Sequence, residues 1–83
     1  MPIATPNELE RDVVEIVTAL APDRSGPITP ATTLVDDLGY DSARLLELGA
    51  TLERRFGCVL DDSARAAAQT VAAVVDLVAT SLR

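Results

Sequence analysis

The chain contains no His, no Lys and no Trp, and it has one Cys, one Tyr and one Phe in 83 residues. Without His, and with a single Cys, it has neither Ser-His-Asp nor Cys-His machinery and no Cys/His cage for zinc. A lone cysteine makes no internal disulfide, so nothing indicates an oxidising compartment and a cytoplasmic location is expected. Basic charge is scarce: seven Arg stand against 13 acidic residues, for a net charge of −6. That balance lacks the basic footprint that holds phosphate backbones, so nucleic acid is not an expected partner. Long apolar runs are missing too. Val71 to Ala79 is nearly apolar but is interrupted by Asp76, and it is too short to span a bilayer. Met1 to Asn7 has two prolines and no basic residue, unlike a targeting peptide. No membrane association is expected.

What remains is 48% hydrophobic and helical in its spacing, in a length that suits one small domain. Residues 1–83 are expected to form a single domain, with 1–6 as a flexible leader. The first helix is predicted to begin after Asn7, with Asn7 as its cap and Glu10 completing a capping box. Leu9, Val13, Ile16, Val17 and Leu20 share one face, and Pro22 stops the helix. From Ala21 to Asp41, three prolines and Gly26 exclude a continuous helix or central strand. A connection that long inside a small domain is uncommon and often functional. Ile28, Leu34, Val35 and Leu38 are expected to pin it across the helices, and Gly39 frees the backbone before the next helix.

The second helix is predicted over Ser42 to Phe56, capped by Asp41 and ended by Gly57. Leu45, Leu48, Gly49, Leu52 and Phe56 form its inward stripe, with Leu46 on the flank. Gly49 costs about 1 kcal/mol relative to Ala in a helix interior, and a close approach by another backbone would account for it. Leu60 lies in a connector, and Asp61-Asp62-Ser63 starts a brief helix through the alanines at 66 to 68. Thr70 caps the last helix, where Val71, Val74, Val75, Val78 and Leu82 recur at helical spacing. The fold class is all-α: four helices, the third short, with a long loop between the first and second. Cys58 is expected to be a small buried apolar residue.

The stretch Thr33-Leu34-Val35-Asp36-Asp37-Leu38-Gly39-Tyr40-Asp41-Ser42 sets a serine hydroxyl on the first turn of a helix, directly after a capping carboxylate. No His or Lys is available to activate it, so Ser42 suits modification by another protein better than attack on a substrate. As spacing alone, Asp41 and Ser42 are equally two good helix-start residues. Residues 36 to 53 hold five carboxylates (Asp36, Asp37, Asp41, Glu47, Glu53) against Arg44 alone, so the densest acidity surrounds Ser42. Such a patch steers basic surfaces of partners.

The run Asp37-Leu38-Gly39-Tyr40-Asp41-Ser42, followed by an amphipathic helix ending in Arg54-Arg55-Phe56-Gly57, resembles the acyl carrier protein family over nearly the whole chain. The resemblance implies an acyl-carrier-like four-helix bundle. It also implies that Ser42 is the attachment residue for a 4′-phosphopantetheine arm, transferred from coenzyme A by a separate transferase, with Asp41 as the motif aspartate. The terminal thiol of that arm would tether acyl intermediates as thioesters. Tyr40 in the motif and the pattern Leu45-Leu46-Glu47 resemble the discrete carriers of type II (aromatic) polyketide synthases, which implies polyketide, antibiotic-type biosynthesis. A start Met and a short leader fit a free-standing protein, and an excised module of a larger synthase is the alternative. Fatty-acid or specialised starter-unit carriers, and an unmodified helical adaptor of the same fold, are the alternatives.

By the same resemblance the chain is not an enzyme and has no catalytic residue and no metal. Its partners would be a phosphopantetheinyl transferase, a ketosynthase, an acyltransferase and tailoring enzymes, and it would act as a monomer. Asp41, Ala43, Glu47 and Glu53 are the candidate docking residues. Two positions depart from the family pattern. Ala43 stands where Leu or Met is usual, which removes about 1–2 kcal/mol of apolar contact if that side chain is buried against a partner. Asp61-Asp62 replaces a common Pro-Asp. The small residues Gly49, Ala50, Ala72 and Ala73 are compatible with a cavity for the acyl chain and equally with close helix packing. Tyr40 is assigned either to the arm and partners or to packing of the loop.

Overall fold

The computed structural model describes residues 6–23 and 26–82, the side chains of Pro6 and Asn7 excepted. Four helices follow one another: α1 (Pro6–Leu20), α2 (Ser42–Phe56), α3 (Asp62–Ala67) and α4 (Val71–Ser81). α1 packs against both α2 and α4, and α3 leans on α4. The core is formed by Leu9, Val13 and Val17 of α1, Leu48 and Leu52 of α2, and Val71, Val74 and Val78 of α4. Leu34, Leu38, Tyr40 and Leu60 join it from the connections. The expected inward stripes therefore hold except at Leu82, with Ile16, Leu45 and Val75 half-buried at their edges.

Helix ends follow local chemistry in three of the four helices. Asp41 caps α2 by accepting the Arg44 N–H at 2.8 Å, and Gly57 closes it in the left-handed region at φ 63°. Asp61 caps α3 through the Ala64 N–H, and Thr70 caps α4 through the Ala73 N–H, both at 3.1 Å. The start of α1 differs from expectation. It begins at Pro6, so Asn7 lies inside the first turn and is not its cap. A proline suits that first position because its fixed φ is already helical and it has no N–H to leave unpaired. The expected leader accordingly loses Pro6 to the helix, and residues 1–5 lie outside those described.

The long connection is bound to the rest of the molecule by its backbone. The carbonyls of Pro30 and Thr32 accept the N–H groups of Ala72 and Val71, each at 3.0 Å, and Leu34 N–H returns a bond to Gln69. Thr33 and Thr70 form an isolated antiparallel bridge there. The first amides of α4, which have no partner inside the helix, are thus satisfied by the loop. Thr33 and Asp37 exchange a reciprocal pair of backbone-to-side-chain bonds of 2.8 and 3.1 Å, closing the turn over residues 34–38. That turn places Leu34 and Leu38 on its inner side. Val35 falls on the outer side and is 56% exposed, so it does not pin the loop as expected. Gly39 adopts φ 75°, and a Cβ there would also press to 3.2 Å on Asp23.

Two further expectations need correction. Leu82 lies beyond α4 as its C-cap residue and is exposed rather than part of the apolar stripe. Cys58 is half-buried, because it sits on the connector after Gly57 and not on a packed helix face. Burial, and secondarily Glu53, still pushes its thiol pKa up, although the hydrogen bond of its own backbone lowers it.

Candidate functional site

Ser42 is the first residue of α2 and is exposed. Its hydroxyl makes no hydrogen bond among the described residues. Asp41 is also exposed, and two of its acceptors serve the helix start: Oδ1 takes the Arg44 N–H at 2.8 Å and the carbonyl takes the Leu45 N–H at 2.9 Å. The amides of Ser42 and Ala43 are left without a protein acceptor among the described residues. They form part of the positive end of a helix of 15 residues, where negative charge is stabilised. The capping aspartate therefore does two things. It fixes where the helix begins, and it holds the serine outward.

Ser42 borders a groove of about 530 Å³ between the long connection, α2 and α3. Thr33, Leu34, Val35 and Asp36 form one wall, Leu45 and Leu46 another, and Asp62, Arg65, Ala66, Ala68 and Gln69 the third. Val35 and Leu46 are 56% and 62% exposed. With the exposed Ala43 they make an apolar surround to the serine. Reading the sequence as a helix stripe did not single out Val35 or Leu46 as surface residues of the site. Leu46 has a local signal, since it sits one position off the inward stripe. Val35 has none, because its direction depends on the turn closed by Thr33 and Asp37.

The candidate docking residues divide between outward and inward roles. Glu47 is exposed and pairs with Arg44 at 3.1 Å on the same helix face. Ala43 is exposed beside Ser42. Glu53 is half-buried, and its carboxylate accepts the Leu60 N–H at 2.9 Å, bracing the connector between α2 and α3. Tyr40 resolves to packing: it is 2% exposed, and its hydroxyl donates to the Val17 carbonyl at 2.7 Å. Burial pushes its pKa up to about 12, against a lowering by Arg44 and with a lesser rise from Glu47. No group of three or more metal-ligating side chains occurs among the described residues. No helix among them is long and apolar enough to cross a membrane.

Gly49 also departs from expectation. It is the side chain of Arg65, not another backbone, that approaches it: a Cβ on Gly49 would lie 2.7 Å from both Cδ and Nη1 of Arg65. The guanidinium of Arg65 pairs with Asp62 at 2.6 Å.

The phosphopantetheine attachment-site family matches residues 11–78. The meromycolate extension acyl carrier protein of Mycobacterium tuberculosis is 32% identical over 75 residues, covering 90% of this chain and 64% of that protein. The Mycobacterium leprae protein of the same name is 34% identical over 64 residues, covering 77% of this chain and 53% of its own length. The chain thus spans less than two thirds of the length of these relatives. Among solved structures, the hexanoyl acyl carrier protein of the actinorhodin polyketide synthase from Streptomyces coelicolor superposes with a TM-score of 0.67. It is 30% identical, with 96% of this chain and 92% of that one covered. The chain belongs to the phosphopantetheine attachment-site family, and its four helices have the acyl carrier protein fold.

Proposed function

We propose that Ser42 is the attachment residue for 4′-phosphopantetheine and that the chain carries acyl groups for a polyketide-type synthase. The observation that carries this reading is the free, outward hydroxyl of Ser42 at the first position of α2. The residues around it fit a phosphodiester. The amides of Ser42 and Ala43 are unclaimed, the helix end favours the anion, and the groove beside the serine has room for a chain. When bound, the group supplies a flexible arm ending in a thiol that holds acyl groups as thioesters. Asp41 keeps the serine at the helix start. In this reading a partner transferase takes the serine proton and transfers the group, and the reactions of the carried acyl chain are performed by synthase and tailoring enzymes.

The polyketide assignment is supported by the Leu38-Gly39-Tyr40-Asp41-Ser42 motif and by the likeness to the actinorhodin carrier. Its expected partners are a phosphopantetheinyl transferase, a ketosynthase and an acyltransferase, and a cytoplasmic location goes with them. The likeness to carriers of meromycolate extension favours a second reading, a carrier of long fatty acyl chains. The small inner space beneath the groove, about 30 Å³, argues against it. The test is to incubate the protein with coenzyme A and a broad-specificity phosphopantetheinyl transferase and weigh it intact. A mass gain of one phosphopantetheine in the wild type, absent in Ser42→Ala, is expected. No gain under conditions that load a known carrier would overturn the assignment.

A further inference from the structure

Two spaces meet between α2 and α3. The outer groove borders Ser42, Leu45, Leu46 and Ala66. The inner pocket is apolar, lined chiefly by Leu48, Leu52, Leu60, Val74 and Leu77, and holds about 30 Å³. Leu34, Leu45, Arg65 and Ala68 border both spaces. Of these four only Arg65 is polar, and it is the only cation lining either space among the described residues. Its side chain is 27% exposed and lies against α2 where Gly49 has no side chain. One of its N–H donors is held by Asp62. The other guanidinium donors have no protein acceptor among the described residues.

We propose that Arg65 determines which acyl groups this carrier shelters. It closes the inner pocket to plain alkyl chains and holds keto-bearing chains in the outer groove by donating to their carbonyl oxygens. This inference rests on Ser42 being the attachment residue. An alkyl chain entering the inner pocket must either push the guanidinium off Gly49 or lie against it and screen its donors from water, and both are unfavourable. A chain with a keto oxygen beyond the thioester carbonyl, which both kinds of chain share, instead offers an acceptor to a charged donor, the stronger kind of hydrogen bond. A carboxylate is a poorer match than a neutral ketone, because Asp36 and Asp62 line the same groove. Gly49 belongs to the same device. It leaves the surface of α2 flat enough for the arginine stem to lie across it.

The experiment loads the full chain with hexanoyl- or 3-oxohexanoyl-phosphopantetheine from the corresponding coenzyme A thioesters, checks loading by intact mass, and records methyl and arginine Nε–H NMR shifts. In the wild type, 3-oxohexanoyl is expected to shift the Arg65 Nε–H, while hexanoyl leaves the methyls of Leu48, Leu52, Val74 and Leu77 in place. In Arg65→Ala, hexanoyl is expected to shift those inner methyls. Gly49→Ala is the second variant: its Cβ would collide with Cδ and Nη1 of Arg65, displacing the flexible side chain while keeping its charge. It should move the Arg65 Nε–H before loading and weaken the response to 3-oxohexanoyl. Hexanoyl shifts at the inner methyls as large in the wild type as in Arg65→Ala would overturn the proposal, as would an Arg65 signal blind to the ketone. Failure to load at all would instead count against Ser42.

Discussion

Tyr40 stands next to the capping aspartate of α2, yet its hydroxyl reaches back to α1. The Val17 carbonyl lies in the last turn of α1, where helix carbonyls lack an intrahelical partner. The neighbouring Ala21 N–H goes to Thr18 instead. The phenol fills that vacancy at 2.7 Å while its ring is buried in the core. Tyr40→Phe keeps the ring and strands the carbonyl, so it is expected to destabilise the fold by about 1–3 kcal/mol, measured by denaturant unfolding. The same burial sets a pH dependence. The phenol ionises near 10 in an unfolded chain and at about 12 in the fold. Its stabilising contribution is therefore complete below pH 10 and is lost as the pH rises from there towards 12. Because the chain has a single Tyr, tyrosinate absorbance reports this group alone. A titration midpoint near 10 while the protein remains folded would contradict the burial argument.

The helices depend on their connections as much as on their own faces. α4 has a high content of β-branched Val and no acidic residue in its first turn, so its start rests on outside acceptors. Thr70 takes the Ala73 N–H, and the long connection takes those of Val71 and Ala72. Thr70→Ala is expected to cost about 1 kcal/mol, the usual value of a lost N-cap, and to lower the melting temperature by a few degrees. Amide exchange should quicken first at the start of α4 and in residues 30–34, since the two share hydrogen bonds. Unchanged exchange in that loop would show that the Thr33–Thr70 bridge bears no load. α3 is the opposite case. It is six residues long with no buried side chain, and its functional weight falls on one residue, Arg65.

Across the whole molecule, acidity is gathered around Ser42. Asp36, Asp41 and Glu47 are exposed there, and Asp62 of α3 comes to the same groove. Asp37, which hydrogen-bonds Thr33, and Glu53, which hydrogen-bonds Leu60, hold the scaffold. The outward carboxylates favour approach by a basic enzyme surface. Association with a phosphopantetheinyl transferase should therefore slow steeply as salt is raised through the range where the Debye length shrinks to about 8 Å. Stopped-flow association rates measure this directly, and a rate indifferent to salt would remove the steering role. The apolar surround of Val35, Leu46 and Ala43 lies inside this acidic frame. Long-range charge would bring a partner in, and short-range apolar contact would seat it.

The four helices, three of their caps, the inward stripes and the placing of Ser42 on the first turn of α2 follow from the sequence by itself. These features depend on residues no more than about four positions apart, through helix periodicity and capping bonds. The motif from Asp37 to Ser42 added the family and the attachment residue it implies. Tertiary structure decided the rest. It turned Val35 outward and Glu53 inward, joined Tyr40 to Val17, and laid Arg65 across Gly49. Each of these rests on how one element is seated against another, or on how the chain turns between them, which no local spacing specifies. Gly49 illustrates the division. Its sequence position announces that something must come close, and only the packing of α3 against α2 determines that the visitor is a charged side chain.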